Sequence, residues 1–420
     1  MICVSTRGQA PPVSLRQAVI AGLAPDGGLY VPERIERLPD SWWNEFRGCS
    51  FDDIAVALAL ELVGDEFDRA ALGGIVRDAL NFPVPIVPLD DRLSVVELFH
   101  GPTFAFKDFG ARTLARIISH LHHDRDPLTV LVATSGDTGG AVAQAFFEVP
   151  GTRVVVLYPE GQVSAVQEAQ FTTIGGNVTA VAVEGTFDDC QRLAKEAFAD
   201  LELRRRARLT SANSISLGRL LPQIFYYAYA ALQQPAERPL VVSVPSGNFG
   251  NLAAGVMAWM LGAPIAHFMA PTTVNDTVPR YLVSGRVEPR PSVATLANAM
   301  DVGNPSNLER LRWLFGNDVN RMRAVITSTA YTDDEVRLQI RDLYHHYDYV
   351  ADPHTAIACL GLSEARGAFL ATAHPAKFGE VVAPAIGGDV ALPPALTALL
   401  ARKKQVRRIS PAIGELAKLL

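Results

Sequence analysis

Cysteine is scarce in this chain, and long runs of one charge are missing altogether. Cys3, Cys49, Cys190 and Cys359 lie far apart with no Cys-x-x-Cys pair, which argues against a disulfide framework and against a zinc site. The formal net charge is −6 over 420 residues and no run of five or six like charges occurs, so nucleic acid is not an expected partner. Met1-Ile2-Cys3-Val4-Ser5-Thr6-Arg7-Gly8 has neither the charged-then-apolar order of a secretion signal nor the Arg-rich character of a transit peptide. With reduced cysteines, the expected compartment is the cytoplasm. The nucleotide fingerprints Gly-x-Gly-x-x-Gly and the P-loop are absent as well.

Between Arg238 and Asp276 there is no Asp, Glu, Lys or Arg. A membrane span needs roughly 20 mostly apolar residues in one run. Ser246-Gly247-Asn248-Phe249-Gly250-Asn251 and Pro264 cut this stretch into shorter pieces, so it is expected to be buried core and no membrane partner is expected. The nine histidines include His120-Leu121-His122-His123 and His345-His346, but no Cys or closely spaced carboxylate accompanies them. They are expected to be polar helix ends, and no metal is expected.

What is present is 49% hydrophobic residues, enough for a multi-domain globular chain. Apolar spacing predicts helices at 15–23 and 54–63, separated by the turn Pro25-Asp26-Gly27-Gly28, and makes the first part mainly helical. Phe82-Pro83-Val84-Pro85-Ile86-Val87-Pro88 cannot be helical and marks a boundary near residue 90. Beyond it, β-branched runs at 128–133, 154–157, 178–183, 240–244 and 265–269 alternate with helical stretches. That alternation predicts an α/β chain with parallel sheets covered by helices on both faces, and ligands at the C-terminal ends of the strands. The expected units are a mainly helical 1–90, a smaller α/β domain 91–210 and a larger one 211–420. Arg204-Arg205-Arg206 is expected to be a solvated helix end.

Two strand-to-helix junctions share a chemistry: Thr134-Ser135-Gly136-Asp137-Thr138-Gly139-Gly140 and Ser246-Gly247-Asn248-Phe249-Gly250. Small residues let backbone approach a ligand, and a helix N-terminus aims free N–H groups at an anion. Either loop alone is ordinary in an α/β protein. The third feature is His100-Gly101-Pro102-Thr103-Phe104-Ala105-Phe106-Lys107-Asp108, a single lysine after a Gly-Pro turn and two aromatics. Apolar surroundings favour the neutral amine needed for Schiff-base chemistry, although a solvated lysine is the default on local sequence. An amine together with two anion cradles is what pyridoxal phosphate requires.

Glu97 to Phe109 closely resembles the cofactor-lysine segment of the threonine synthase family. So do Ala133–Gly139, Ser211-Ala212-Asn213-Ser214-Ile215, Val244–Gly250, Val274-Asn275-Asp276-Thr277-Val278-Pro279-Arg280 and Thr372-Ala373-His374-Pro375-Ala376-Lys377-Phe378, in the family's order, starting from Gly22–Tyr30. The last forty residues are less diagnostic. The resemblance implies the fold-type II architecture, which is tryptophan synthase β-like, and a lyase that turns O-phospho-L-homoserine and water into L-threonine and phosphate. It implies pyridoxal 5'-phosphate held by Lys107 as a Schiff base, with Gly247, Asn248, Phe249, Gly250 and Asn251 around its phosphate. Thr372 would meet the pyridine nitrogen, where a neutral hydroxyl tempers the ring as an electron sink, and Asp137 would lie beside the ring oxygen. Thr134, Ser135 and Thr138 would grip the substrate carboxylate, and Ser214 and Arg219 the leaving phosphate. A guanidinium fork suits that dianion, although a surface arginine on an ordinary helix is the alternative.

Two positions depart from the family's habit: Asn251 stands where Asp is frequent, and Ser216 where Asn is. The first puts in doubt a detail of phosphate binding, since Asn251 offers a side-chain oxygen without the charge, and the second a detail of substrate binding. His354 and His374, near the same motifs, are expected to be structural. The rival functions are a related phospho-lyase releasing 2-oxobutanoate and ammonia, a non-catalytic relative of the fold, and a phosphate-binding regulator. Monomer and homodimer are both expected states.

Overall fold

The computed structural model describes residues 1–122 and 126–420; His123 of the histidine cluster lies outside them. Three sheets organise the described chain. Leu209–Ser211, Leu128–Ala133, Thr152–Pro159, Val178–Val183 and Val406–Ile409 form, in that spatial order, a fully parallel five-stranded sheet. Ile326–Thr327, Ile265–Met269, Leu240–Ser243, Gly367–Ala371, Leu93–Glu97 and Ile86–Pro88 form a six-stranded sheet, parallel except for its last pair. The parallel strands read as unbroken apolar runs because helices cover both faces; all six residues of Leu128–Ala133 are buried. Ile86–Pro88, from the Pro-rich segment, lies at the sheet edge, where a missing N–H costs no ladder bond.

Expected and observed strands agree end to end at 128–133, 178–183 and 265–269, and within two residues at 154–157 and 240–244. The uncharged stretch after Arg238 holds Leu240–Ser243, the helix Gly250–Met260 and Ile265–Met269, and most of it is buried. Among the described residues no helix is long and apolar enough to cross a membrane. His345 and His346 do fall in the last turn of the helix Asp333–Tyr347, and Arg204, Arg205 and Arg206 in the last turn of Leu201–Arg206.

The N-terminal part contains the helices Leu15–Ala21 and Phe51–Val63, close to the expected spans. Ser14 and Ser50 cap their N-termini, and Gly22 at φ +70° stops the first. It also contains a three-stranded antiparallel sheet, Ile2–Ser5, Val13–Ser14 and Tyr30–Pro32, that the helical reading missed. Sheet membership crosses the expected boundaries. Leu93–Glu97 joins the sheet of the later chain, and Val406–Ile409 returns to the earlier one.

The helix Lys107–Leu121 lies where these parts meet. Phe109, fully buried, packs edge-on against Phe51 and Phe82 of the N-terminal part and Tyr226 of the later chain, at centroid distances of 5.8, 4.9 and 5.0 Å. Arg112 donates to the carbonyls of Ala79 (2.6 Å) and Asp78 (2.9 Å), so the same helix also ties down the end of the helix Arg69–Ala79. Lys107 is thereby the first residue of a helix fixed from three sides. The loops after Glu97, Ala133, Ser211, Ser243 and Ala371 all leave the C-terminal ends of parallel strands and converge around it.

Candidate active site

The Lys107 segment is stapled to the Thr372 segment by backbone. Phe106 N–H donates to the Thr372 carbonyl (2.9 Å), His374 N–H to the Phe104 carbonyl (3.1 Å), and Ala105 bridges Ala373. Phe104 turns the chain in the left-handed region at φ +57°. Asp108 accepts from the Thr103 N–H (2.8 Å) and hydroxyl (2.7 Å); burial pushes its carboxyl up to about 6 against those two bonds. The result places the Lys107 amine in a cavity with Asp137, Thr372, Asn248 and Arg219 on its walls. The side chain is 14% exposed, 3.5 Å from Asp137 Oδ2 and 5.0 Å from the Phe106 ring centre. Burial pulls the amine below the ordinary lysine range, and Asp137 only partly opposes it.

Asp137 begins the helix Asp137–Phe146. Its Oδ1 receives the Lys377 ammonium at 2.7 Å and Gln167 Nε2 at 2.9 Å. Burial alone would raise this carboxyl, but Lys377 and then Lys107, with the bonds from Lys377 and Gln167, hold it well below the usual range. In the same loop the Thr134 hydroxyl accepts from Gly136 N–H (2.9 Å) and Gly139 N–H (2.8 Å), so its first task is to shape the turn. The hydroxyls of Ser135 and Thr138 line the cavity, and no protein hydrogen bond to either is present among the described residues.

The turn Ser246–Gly250 leads into the helix Gly250–Met260, with Phe249 at φ +60°. The N–H groups of Gly247, Asn248, Phe249 and Gly250 have no acceptor among the described residues. Such a row of free donors at a helix start is an anion cradle. A Cβ on Gly247 would stand 2.5 Å from Met300 Cα, so the turn needs glycine there. Gly247→Ala is expected to push the turn outward and weaken retention of an anionic cofactor by about tenfold or more; cofactor absorbance per protein after dialysis measures it.

Asn248 Nδ2 donates to Ser214 Oγ (2.7 Å), and Asn248 Oδ1 accepts from Ser306 N–H (2.6 Å). Asn307 Nδ2 reaches the same Ser214 hydroxyl at 3.3 Å. Beneath them Arg310, fully buried, donates to the carbonyls of Ser214 (3.3 Å), Ile215 (2.9 Å) and Tyr30 (3.0 Å) and to Asn307 Oδ1. Burial lowers this guanidinium to about 9, and no carboxylate bonds it among the described residues. Arg310→Met is expected to cost about 3 kcal/mol of stability by stranding three carbonyls, read as a lower midpoint in urea unfolding.

Asn251 is turned differently from the expectation. Its Oδ1 accepts from the hydroxyls of Tyr226 and Tyr227, both at 2.6 Å, so the side-chain oxygen faces core and the unpartnered Nδ2 is what it can offer. Ser216 is buried with its hydroxyl unpartnered and lies outside the cavity wall. Arg219 is not a surface residue: it is 3% exposed, its Nη1 donates to the Ala212 carbonyl, and its Nε is unpartnered. Burial lowers its guanidinium to about 10, still a cation at neutral pH. Thr372, also on the wall, has no bond to its hydroxyl among the described residues.

His374 accepts from the Ala376 N–H (3.2 Å) and caps its own turn. His354 lies on the cavity wall; Asp352 binds its Nδ1 at 2.5 Å, and its Nε2 is buried and unpartnered. Among the described residues no group of three or more His, Cys, Asp or Glu is arranged to hold a metal ion. Motif reading missed Lys377, Gln167, Asn307 and Arg310, which bond to site residues, and Gln191, Lys195 and Gln223, which line the cavity. Lys377 stands inside a recognised segment, where a lysine among apolar neighbours was the available signal.

The pattern described as "Pyridoxal-phosphate dependent enzyme" matches residues 85–372, "Threonine synthase N terminus" matches 3–80, and "Threonine synthase, C-terminal" matches 360–419. Threonine synthase of Serratia marcescens is 44% identical over 416 residues, covering 97% of this chain and 96% of its own. The chain belongs to the pyridoxal-phosphate-dependent threonine synthase family. The crystal structure of threonine synthase from Escherichia coli superposes with a TM-score of 0.95 at 40% identity, covering 100% of this chain and 99% of that one. The pyridoxal-phosphate-bound threonine synthase of Brucella melitensis gives 0.93 at 36% identity, with 100% and 98% covered. The fold-type II architecture expected from the motifs is thus the observed one, and the C-terminal match extends the family likeness through the last forty residues.

The residues present suit the family's cofactor. A largely buried amine with one long polar contact shares a cavity with a row of N–H groups that have no acceptor among the described residues, and the turn carrying that row has no room for a Cβ at Gly247, which would stand 2.5 Å from Met300 Cα.

Proposed function

We propose that this threonine synthase family member converts O-phospho-L-homoserine and water into L-threonine and phosphate, with pyridoxal 5'-phosphate carried by Lys107. The observation that carries the reading is the Lys107 amine, which lines one cavity with the free N–H row of Gly247–Gly250 and the buried Arg219 guanidinium. The cofactor phosphate, the substrate carboxylate and the substrate phosphate need three anion sites around that one amine, and the N–H row, the Ser135–Thr138 loop and Arg219 with Ser214 line the same cavity.

In this reading Gly247, Asn248, Phe249 and Gly250 hold the cofactor phosphate through backbone N–H groups, and Asn251 adds its Nδ2. A donor there serves a dianion without bringing a second negative charge. The Thr372 hydroxyl meets the pyridine nitrogen, and Asp137 lies beside the ring oxygen. When bound, the cofactor supplies an electron sink for charge developing at the substrate's α-carbon. Lys107 Nζ takes the Cα proton, which requires its neutral form. Ser135 and Thr138 hold the substrate carboxylate on a loop that Thr134 keeps in shape. Arg219, with Ser214, holds the γ-phosphate and neutralises it as it leaves. Loss of a Cβ proton expels the phosphate from Cγ, a proton returns at Cγ to make the methyl group, and water adds its hydroxyl at Cβ while Cα regains its proton, so one water is consumed for each phosphate released.

The three units 1–90, 91–210 and 211–420 remain our division of the chain, with Leu93–Glu97 and Val406–Ile409 as strands exchanged between the two α/β parts. The net charge of −6 supports a small-molecule enzyme without nucleic acid, and we place it in the cytoplasm as a monomer or homodimer.

A visible spectrum of the purified protein with and without borohydride, then assay of threonine and phosphate from phosphohomoserine, tests the reading. A band that borohydride abolishes and equal yields of the two products are expected. Release of 2-oxobutanoate and ammonia instead would assign the chain to the phospho-lyase reaction.

A further inference from the structure

We propose that Lys377 is a positioning residue that takes the charge of Asp137 for itself and thereby keeps the Lys107 amine uncharged and available as nucleophile and base. This rests on the reading of Lys107 as the cofactor lysine.

Two lysines share one buried carboxylate. Lys377 Nζ is 2.7 Å from Asp137 Oδ1, whereas Lys107 Nζ is 3.5 Å from Oδ2. At equal dielectric the shorter contact attracts about 30% more strongly. Lys377 also donates to the Thr103 carbonyl at 2.9 Å, and its side chain is 0% exposed. A fully buried ammonium persists only with a counter-charge and acceptors, and Lys377 has both. Among the described residues Lys107 has only the longer ion contact, with the Phe106 ring 5.0 Å away as a weaker partner, and it faces the cavity. One carboxylate neutralises one ammonium, so the amine left uncharged is Lys107.

The backbone puts Lys377 there by register. Phe106 N–H to the Thr372 carbonyl and His374 N–H to the Phe104 carbonyl are two backbone bonds between antiparallel segments, and from the turn Pro375–Phe378 that follows, the Lys377 side chain reaches the Thr103 carbonyl. The segment that presents the Thr372 hydroxyl therefore also delivers the second lysine.

The other charges around the pair act in the same direction. Arg219 repels a proton on Lys107 across the cavity, as Lys377 does. Asp108, on the helix of Lys107, attracts Lys377 and is itself held by Thr103. His374, on the segment of Lys377, feels Lys377 as a repelling cation and is pulled below the ordinary histidine range, chiefly by burial.

The test is a pH titration of the visible band of the holoenzyme, wild type against Lys377→Met, Lys377→Arg and Lys377→Gln, with kcat and KM across the same range. Removing a cation beside a titrating nitrogen raises its pKa. Lys377→Met is therefore expected to retain the band with its midpoint raised by about one unit or more, and kcat at neutral pH to fall more than KM changes. Lys377→Arg is expected to titrate near wild type. Asp137→Asn combined with Lys377→Met removes both charges and is expected to bring the midpoint back toward wild type. Should Lys377→Met fail to fold, Lys377→Gln, which can still bond Asp137 and the Thr103 carbonyl, carries the comparison with the same expected rise. A cofactor-loaded Met or Gln variant titrating like wild type overturns the role of Lys377. A wild-type protein without any band would instead overturn the reading of Lys107.

Discussion

With Lys107 replaced by alanine, the protein is expected to fold, to lose the cofactor band that borohydride fixes, and to lose turnover by about ten thousandfold. The expectation of a folded variant comes from the contacts: the Lys107 amine makes one polar contact, at 3.5 Å, and the rest of its helix is held by Phe109, Arg112 and the Thr103–Asp108 bonds. Asp137 loses nothing essential, because Lys377 and Gln167 remain bonded to it. Truncation thus removes a reacting group without leaving a buried charge unpaired. Absorbance, borohydride trapping and a threonine assay on the folded variant measure the outcome, and turnover within tenfold of wild type would remove Lys107 from the chemistry.

The parallel strands were legible because burial on both faces writes them as continuous apolar runs. Leu128–Ala133, Val178–Val183 and Ile265–Met269 could be bounded residue by residue from that alone. Leu93–Glu97 was hidden beside the Pro-rich connector. The two- to four-residue strands of the N-terminal sheet are too short to show a period, since their pairing is fixed by partners further along the chain. At the site, motif reading identified the residue types, but the direction of a side chain is a tertiary property. Thr134 spends its hydroxyl on its own turn, and Asn251 gives its oxygen to Tyr226 and Tyr227. Lys377 is the sharper case. Its partners, Asp137 and Thr103, come from two other loops, and only the register between the 103–107 and 372–377 segments brings the three together.

Arg219→Ala is expected to lower kcat/KM by about a hundredfold to a thousandfold, mainly through KM, while the cofactor content stays that of wild type. The site is the interior of the protein, yet the guanidinium is bonded only to the Ala212 carbonyl, with Nε unpartnered and no carboxylate within ion-pair distance among the described residues. Holding a cation this way is destabilising, so a ligand anion is what the arrangement is built to receive. The position is also spatially tight: a Cβ on Gly110 would lie 2.3 Å from the Arg219 carbonyl and 2.9 Å from Nε, so the helix of Lys107 sets where the fork points. Arg219→Lys is expected to recover only part of the loss, since a point charge cannot bond two phosphate oxygens in a fixed plane. The same variant distinguishes the two anion sites. The N–H row at Gly247–Gly250 owes nothing to Arg219, so loss of cofactor from Arg219→Ala would mean that the guanidinium serves the cofactor phosphate and not the leaving group. Stability sharpens the argument further, because removing a buried unpaired charge is expected to leave the unfolding midpoint unchanged or raised while affinity for substrate collapses.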